Sequence, residues 1–91
     1  MADVEFETSD LDVFVIDGMN VPEIRQTTGE PAPKIDIKVG EQSYHYDRSV
    51  PIKGHSAHLP QYLREQMAAG KRPLLIERPD RLYVYFEAAE A

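Results

Sequence analysis

This sequence predicts an α+β fold: an antiparallel or mixed sheet of about five strands, with one amphipathic helix packed on a face. Three observations carry that expectation. Two stretches alternate apolar and polar residues around short turn signals, which is the pattern of hairpins. One window places apolar residues at the i, i+3, i+4 spacing of a helix face. No strand–helix–strand alternation runs through the chain, so a wholly parallel sheet is not expected.

The first element is Leu-Asp-Val-Phe-Val-Ile, residues 11–16, rich in β-branched and aromatic side chains and closed by Asp17-Gly18. Leu11, Val13 and Val15 fall on one face and Phe14 and Ile16 on the other. Apolar residues on both faces predict an interior strand.

Residues 25–34, Arg-Gln-Thr-Thr-Gly-Glu-Pro-Ala-Pro-Lys, read as a flexible loop within a single domain, because Gly29, Pro31 and Pro33 break any regular element. Residues 34–47 give the clearest hairpin. Gly40-Glu41 suits a two-residue turn with Gly at the first central position. That turn sets Val39 opposite Gln42, Ile37 opposite Tyr44 and Ile35 opposite Tyr46. On the other face Lys38 meets Ser43, Asp36 meets His45 and Lys34 meets Asp47.

Residues 55–71 contain the helix, with Leu59, Tyr62, Leu63, Gln66 and Met67 on one face. Pro60 fits the first turn, where a missing N–H costs nothing, and Ser56 is the expected cap. Gly70 fits the position just past the helix end, followed by Lys71 and Arg72. Residues 73–87 predict a second hairpin, with strands 74–76 and 82–86 around a Pro79-Asp80 turn. The order is strand, hairpin, helix, hairpin.

Size and charge narrow the function. A chain of 91 residues is one small domain, here spanning 1–91. Without cysteine there is no disulfide, thiolate metal site or cysteine nucleophile. The start, Met-Ala-Asp-Val-Glu-Phe-Glu, has neither the basic nor the apolar part of a signal peptide. No apolar run approaches the roughly 18 residues of a membrane span, so a cytoplasmic location and no membrane contact are expected. The net charge of −6 is unevenly placed. Residues 1–24 hold seven acids (Asp3, Glu5, Glu7, Asp10, Asp12, Asp17, Glu23) and no Lys or Arg. An acidic chain is a poor nonspecific binder of nucleic acid, which is held by Lys and Arg.

Candidate chemistry is sparse. The stretch Val-Ile-Asp-Gly-Met-Asn, residues 15–20, resembles the strand-end motif of the NYN/PIN-like nucleases. That resemblance implies a parallel sheet with crossover helices and a metal-binding role for Asp17. The residues themselves favour a turn at Asp17-Gly18, supported by Asn20. His55 and His58 in Gly-His-Ser-Ala-His, with His45, form the candidate metal- or small-ligand-binding set, although zinc needs at least three protein ligands. Asp36 opposite His45 has the pairing that orients a catalytic imidazole, but no nucleophile stands beside it in a marked setting. No phosphate-binding glycine loop and no nucleophile elbow is present.

The tyrosines are numerous, and Tyr and Arg are favoured at protein interfaces. Tyr44, Tyr46, Tyr83 and Tyr85 are therefore the expected partner-binding side chains, together with Asp3, Glu5, Glu7 and Asp10 of the acidic segment. The expectation is a non-catalytic accessory subunit or adaptor with no cofactor, binding a larger protein, with a homodimer compatible. Two alternatives are a small ligand- or metal-binding domain and an acidic inhibitor that mimics nucleic acid.

Overall fold

The structure, a computed structural model, describes residues 4–16, 18–25, 32–51 and 58–88. Among the described residues the fold is α+β, with one helix and a mixed sheet of seven strands rather than about five. The strands are β1 Val4–Phe6, β2 Leu11–Ile16, β3 Met19–Arg25, β4 Ile37–Val39, β5 Gln42–Pro51, β6 Pro73–Glu77 and β7 Arg81–Glu87. Helix α1 spans Leu59–Ala68, and a 3-10 turn covers Thr8–Asp10. The order across the sheet is β1-β4-β5-β7-β6-β3-β2. The pairings β1–β4 and β3–β6 are parallel and the others antiparallel.

The two edge strands are neighbours in sequence, and this forces the sheet to curl. Laid flat, seven strands would set β1 and β2 about 29 Å apart. The chain passes from Phe6 to Leu11 in five steps, which span at most about 18 Å. The sheet therefore rolls into a half-closed barrel, and Phe6 and Leu11 pack against the same buried cluster. That inner cluster holds Ile24, Ile37, Val39, Leu74, Ile76, Tyr83 and Tyr85. The convex face carries the helix: Leu59 and Leu63 pack with Val21, Leu75, Leu82, Val84 and Phe86. Strands β6 and β7 alternate between the two clusters and are buried on both faces.

The hairpin turns fall where the sequence places them. Val39 opposes Gln42, Lys38 opposes Ser43 and Ile37 opposes Tyr44, with Gly40 at φ +61°. Arg78 and Arg81 close the Pro79-Asp80 turn through an N–H to carbonyl bond of 2.9 Å. The first hairpin differs at its open end. β4 starts at Ile37, so Asp36–His45, Ile35–Tyr46 and Lys34–Asp47 are not ladder pairs, although the Asp36 and His45 side chains still meet, and β5 runs on to Pro51. A register shift between Tyr46 and Arg48 leaves Asp47 as the extra residue of a bulge in β5.

Three further expectations are corrected. Residues 19–25, not expected to form an element, are a strand that pairs antiparallel with β2, from Leu11 opposite Ile24 to Ile16 opposite Met19. β2 is consequently not interior but at the edge of the sheet. The helix is shorter than 55–71, with His58 at its N-cap position and Ser56 outside the described residues. Its end is as expected. Gly70 at φ +94° allows the Gly70 N–H to reach the Met67 carbonyl at 2.9 Å and the Lys71 N–H to reach Gln66 at 3.0 Å. This double bond pattern closes a helix and needs a left-handed residue at Gly70.

Candidate functional site

The open end of the half-barrel follows from a proline. In the β2–β3 hairpin, pairs alternate between those that exchange hydrogen bonds and those that do not. Counting from the terminal Ile16–Met19 pair, Ile16–Met19, Phe14–Val21 and Asp12–Glu23 are the bonded pairs. Pro22, opposite Val13, therefore turns its ring nitrogen towards β6. The β3–β6 ladder begins only at Glu23–Leu75, one residue past Pro22, so the missing N–H falls where no bond is required. Below that point the strands part and leave a hollow of about 500 Å³, lined by Asn20, Pro22, Tyr44, Arg72, Pro73 and Glu87 among others. A second hollow shares its Gly70–Arg72 and Glu87 rim and runs past His45, Tyr46 and Asp47.

The rim is polar and partly cationic. The Glu87 N–H donates to the Arg72 carbonyl at 2.8 Å, pinning the loop after the helix to the end of β7. The Tyr44 hydroxyl is pushed above its ordinary pKa, first by burial and then by Glu87, with Arg72 opposing. The Lys71 ammonium lies 5.9 Å from the Phe86 ring centre. Beside the rim, the Tyr62 hydroxyl donates to Asp47 Oδ2 at 2.7 Å and Arg48 Nε donates to the same oxygen at 2.9 Å. The Arg48 guanidinium also sits 4.1 Å above the Tyr62 ring. The bulge thus aims Asp47 at the helix and ties β5 to α1.

The hollow's wall continues onto the sheet edge. Val13 opposes Pro22 and Val15 opposes Asn20, and both valines face the concave side. They are 60 % and 63 % exposed. Natural edge strands are protected by lysine, proline, bulges or shortness. β1, the other edge, has three residues; β2 has six, with Asp12 as its one charged residue and no lysine or proline, and the described residues show no bulge in its pairing. The N–H and C=O groups of Val13 and Val15 and the C=O of Leu11 point outward, away from β3, while the Leu11 N–H closes the 3-10 turn on the Thr8 carbonyl.

The expected site residues divide sharply. Tyr83 and Tyr85 are 3 % and 0 % exposed, so they are core residues and not a partner-facing surface. Tyr85 donates its hydroxyl to the Pro33 carbonyl, and Tyr46 meets its ring edge-on at 5.6 Å. Tyr44 and Tyr46 are half-buried and pack against the inner cluster. Glu5 and Glu7 are exposed beside a third hollow that reaches Thr8 and Gly40. Asp10 lies in the 3-10 turn, with its side chain outside the described residues; Asp3 lies outside them altogether.

The histidines are not brought together among the described residues. His45 is exposed, with Nδ1 2.8 Å from Asp36 Oδ1, as the register predicts. His58 is exposed at the helix start, and His55 lies outside the described residues. Among those residues no group of three or more His, Cys, Asp or Glu is placed to hold a metal ion. Asp17 also lies outside them. Its flanks form an antiparallel hairpin, not the strand-to-helix step of the nuclease motif. No family model, curated protein or solved structure matches the chain.

Among the described residues no helix is long and apolar enough to cross a membrane. The valine edge was missed in the sequence because bare and buried apolar positions alternate identically. The signal that locates it is the dipeptide Asp17-Gly18, whose composition is a two-residue hairpin signal between 11–16 and 19–25.

Proposed function

We propose that this chain is a small cytoplasmic accessory subunit or adaptor, without chemistry of its own, that binds a larger protein. The observation that carries the reading is the β2 edge: six residues long, with Val13 and Val15 bare and continuous with the barrel mouth. Exposed apolar side chains next to unpaired strand backbone are costly to leave in water and useful as a docking surface. The tyrosines contribute through Tyr44 at the mouth, not through Tyr83 and Tyr85.

The test is recovery of the tagged chain from its own host at physiological salt, compared with a Val13→Lys/Val15→Lys variant. The wild type should bring down one stoichiometric protein, and the variant should lose it while melting at the same temperature. Recovery of the chain alone, or substrate turnover by the isolated chain, overturns the proposal.

A further inference from the structure

We infer that β2 binds its partner by strand addition, and that the added segment is an extended stretch of the partner in which apolar and basic residues alternate. The inference rests on the adaptor reading and specifies its mode and chemistry.

Main-chain recognition follows from the parity of the hairpin. The Leu11 N–H is taken by the Thr8 carbonyl, so the Leu11 C=O and the outward N–H and C=O groups of Val13 and Val15 form the row that an added strand needs. Their side chains share the concave face, so every second residue of the added strand would lie against Val13 or Val15. Those two valines are the exposed large apolar side chains among the described residues, and they call for apolar neighbours. Shortness rules out β1 as an equivalent acceptor, since three residues offer too little ladder.

Charge decides what lies between the apolar residues. The first 24 residues hold seven acids and no base, and β2 lies within them. Glu5 and Glu7 are exposed just ahead of the strand, and Asp12, exposed within it, has Arg25 3.4 Å away as its cationic partner. Lysine or arginine in the added strand is therefore attracted, and Asp or Glu repelled. The same charge disfavours a second copy of this chain, whose β2 carries its own Asp12 and follows its own exposed Glu5 and Glu7.

Proline separates backbone from side-chain recognition. Val13→Pro removes an outward N–H without breaking the bonds to β3, and edge strands tolerate proline at such positions. The probes are two ten-residue peptides, one alternating Val and Lys and one alternating Val and Glu, each titrated by fluorescence anisotropy. The Val-Lys peptide should bind the wild type at least about tenfold more tightly than the Val-Glu peptide. Val13→Pro should abolish that binding and the capture of the host partner, with the melting temperature kept within a few degrees. If Val13→Pro retains the host partner while Val13→Lys/Val15→Lys loses it, strand addition is overturned and the adaptor reading stands. Equal binding of both peptides overturns the assigned chemistry. A wild-type dimer in light scattering that Val13→Pro converts to monomer makes the occupant a second copy, and overturns the inference. If neither variant loses a host partner, the β2 docking surface itself fails.

Discussion

Arg25 lies 2.9 Å from Glu23, two residues back on the same face of β3, and bridges from there to both neighbouring strands. Its guanidinium is 3.4 Å from Asp12 of β2 and 3.3 Å from Glu77 of β6. Three carboxylates converge on one cation where the edge hairpin joins the central sheet. Glu23 is only 6 % exposed, whereas Arg25 is largely open to water. Each charge that Arg25 attracts is thus screened on one side, and Glu23 bears the desolvation.

That asymmetry predicts a pH dependence. Burial is the largest influence on the Glu23 carboxyl and raises its pKa above the ordinary 4.5; Arg25 opposes, and Glu77 and Asp12 add to the rise. The folded state therefore holds this proton more tightly than the unfolded chain. At pH below the ordinary carboxyl value both states are protonated and no penalty arises. As pH climbs through the raised folded value, the buried group must ionise and stability is lost. Glu23→Gln removes that titration. The melting temperature of the variant minus that of the wild type should increase from about pH 4 to about pH 7. A difference that stays flat or falls contradicts the assignment.

Tyr85 predicts a different kind of loss. Its hydroxyl is buried in the barrel and donates to the Pro33 carbonyl, which fastens the segment entering β4. Burial also drives its pKa strongly upward, so it remains a donor across the ordinary pH range. Tyr85→Phe keeps the ring packing on Tyr46 and deletes the bond. The expected cost is roughly 1 kcal/mol, with a further penalty if the carbonyl is left dry. Denaturant unfolding measures the cost, and faster amide exchange at residues 34–36 locates it. A variant as stable as the wild type, with unchanged exchange, shows the bond to be unimportant.

How much of this was legible in the sequence depends on the range of the interaction. The Gly40-Glu41 and Pro79-Asp80 turns were legible because a two-residue loop fixes register locally, and the Asp36–His45 pair follows from that count. β3 was obscured by Pro22 and Glu23, which break an alternating pattern in mid-strand. Both are accommodated by contacts that no local window contains: Pro22 by the late start of the β6 ladder, Glu23 by Arg25. The fate of the tyrosines was hidden for a similar reason. β7 carries apolar or aromatic residues on both faces, and only the curl of the sheet decides that Tyr83 and Tyr85 point inward. That curl depends on β1 reaching β4, a pairing across a long stretch of chain. The valine edge was visible as a strand but not as an edge.

The attachment of the helix can be separated from its termination by two variants. Leu63 is fully buried between α1 and the convex face of the sheet. Leu63→Ala should cost about 2–5 kcal/mol through lost burial and a cavity. Gly70 is exposed, and a Cβ there would meet nothing within 4 Å, so only its φ of +94° opposes substitution. Gly70→Ala should cost about 1 kcal/mol, the penalty of the left-handed conformation alone. Urea unfolding followed by circular dichroism ranks them; a reversed order means that the helix is held by its cap rather than by its face.

The acidic segment gives the last prediction, on rates rather than stability. Glu5 and Glu7 are exposed and flank the strand proposed to take a basic segment. Charges at the border of an interface act mainly on encounter, and their effect weakens as salt screens them. Asp3→Asn, Glu5→Gln, Glu7→Gln and Asp10→Asn made together should slow association with the alternating Val-Lys peptide by roughly tenfold at low salt. They should also flatten the dependence of that rate on salt between about 50 and 200 mM, where the screening length shrinks. Dissociation should change much less, because the main-chain ladder and the valine contacts are intact. Stopped-flow measurement of both rates separates the cases. A change confined to dissociation would mean that these acids touch the bound segment directly. No change in either rate would mean that the charge excess serves solubility and takes no part in recognition.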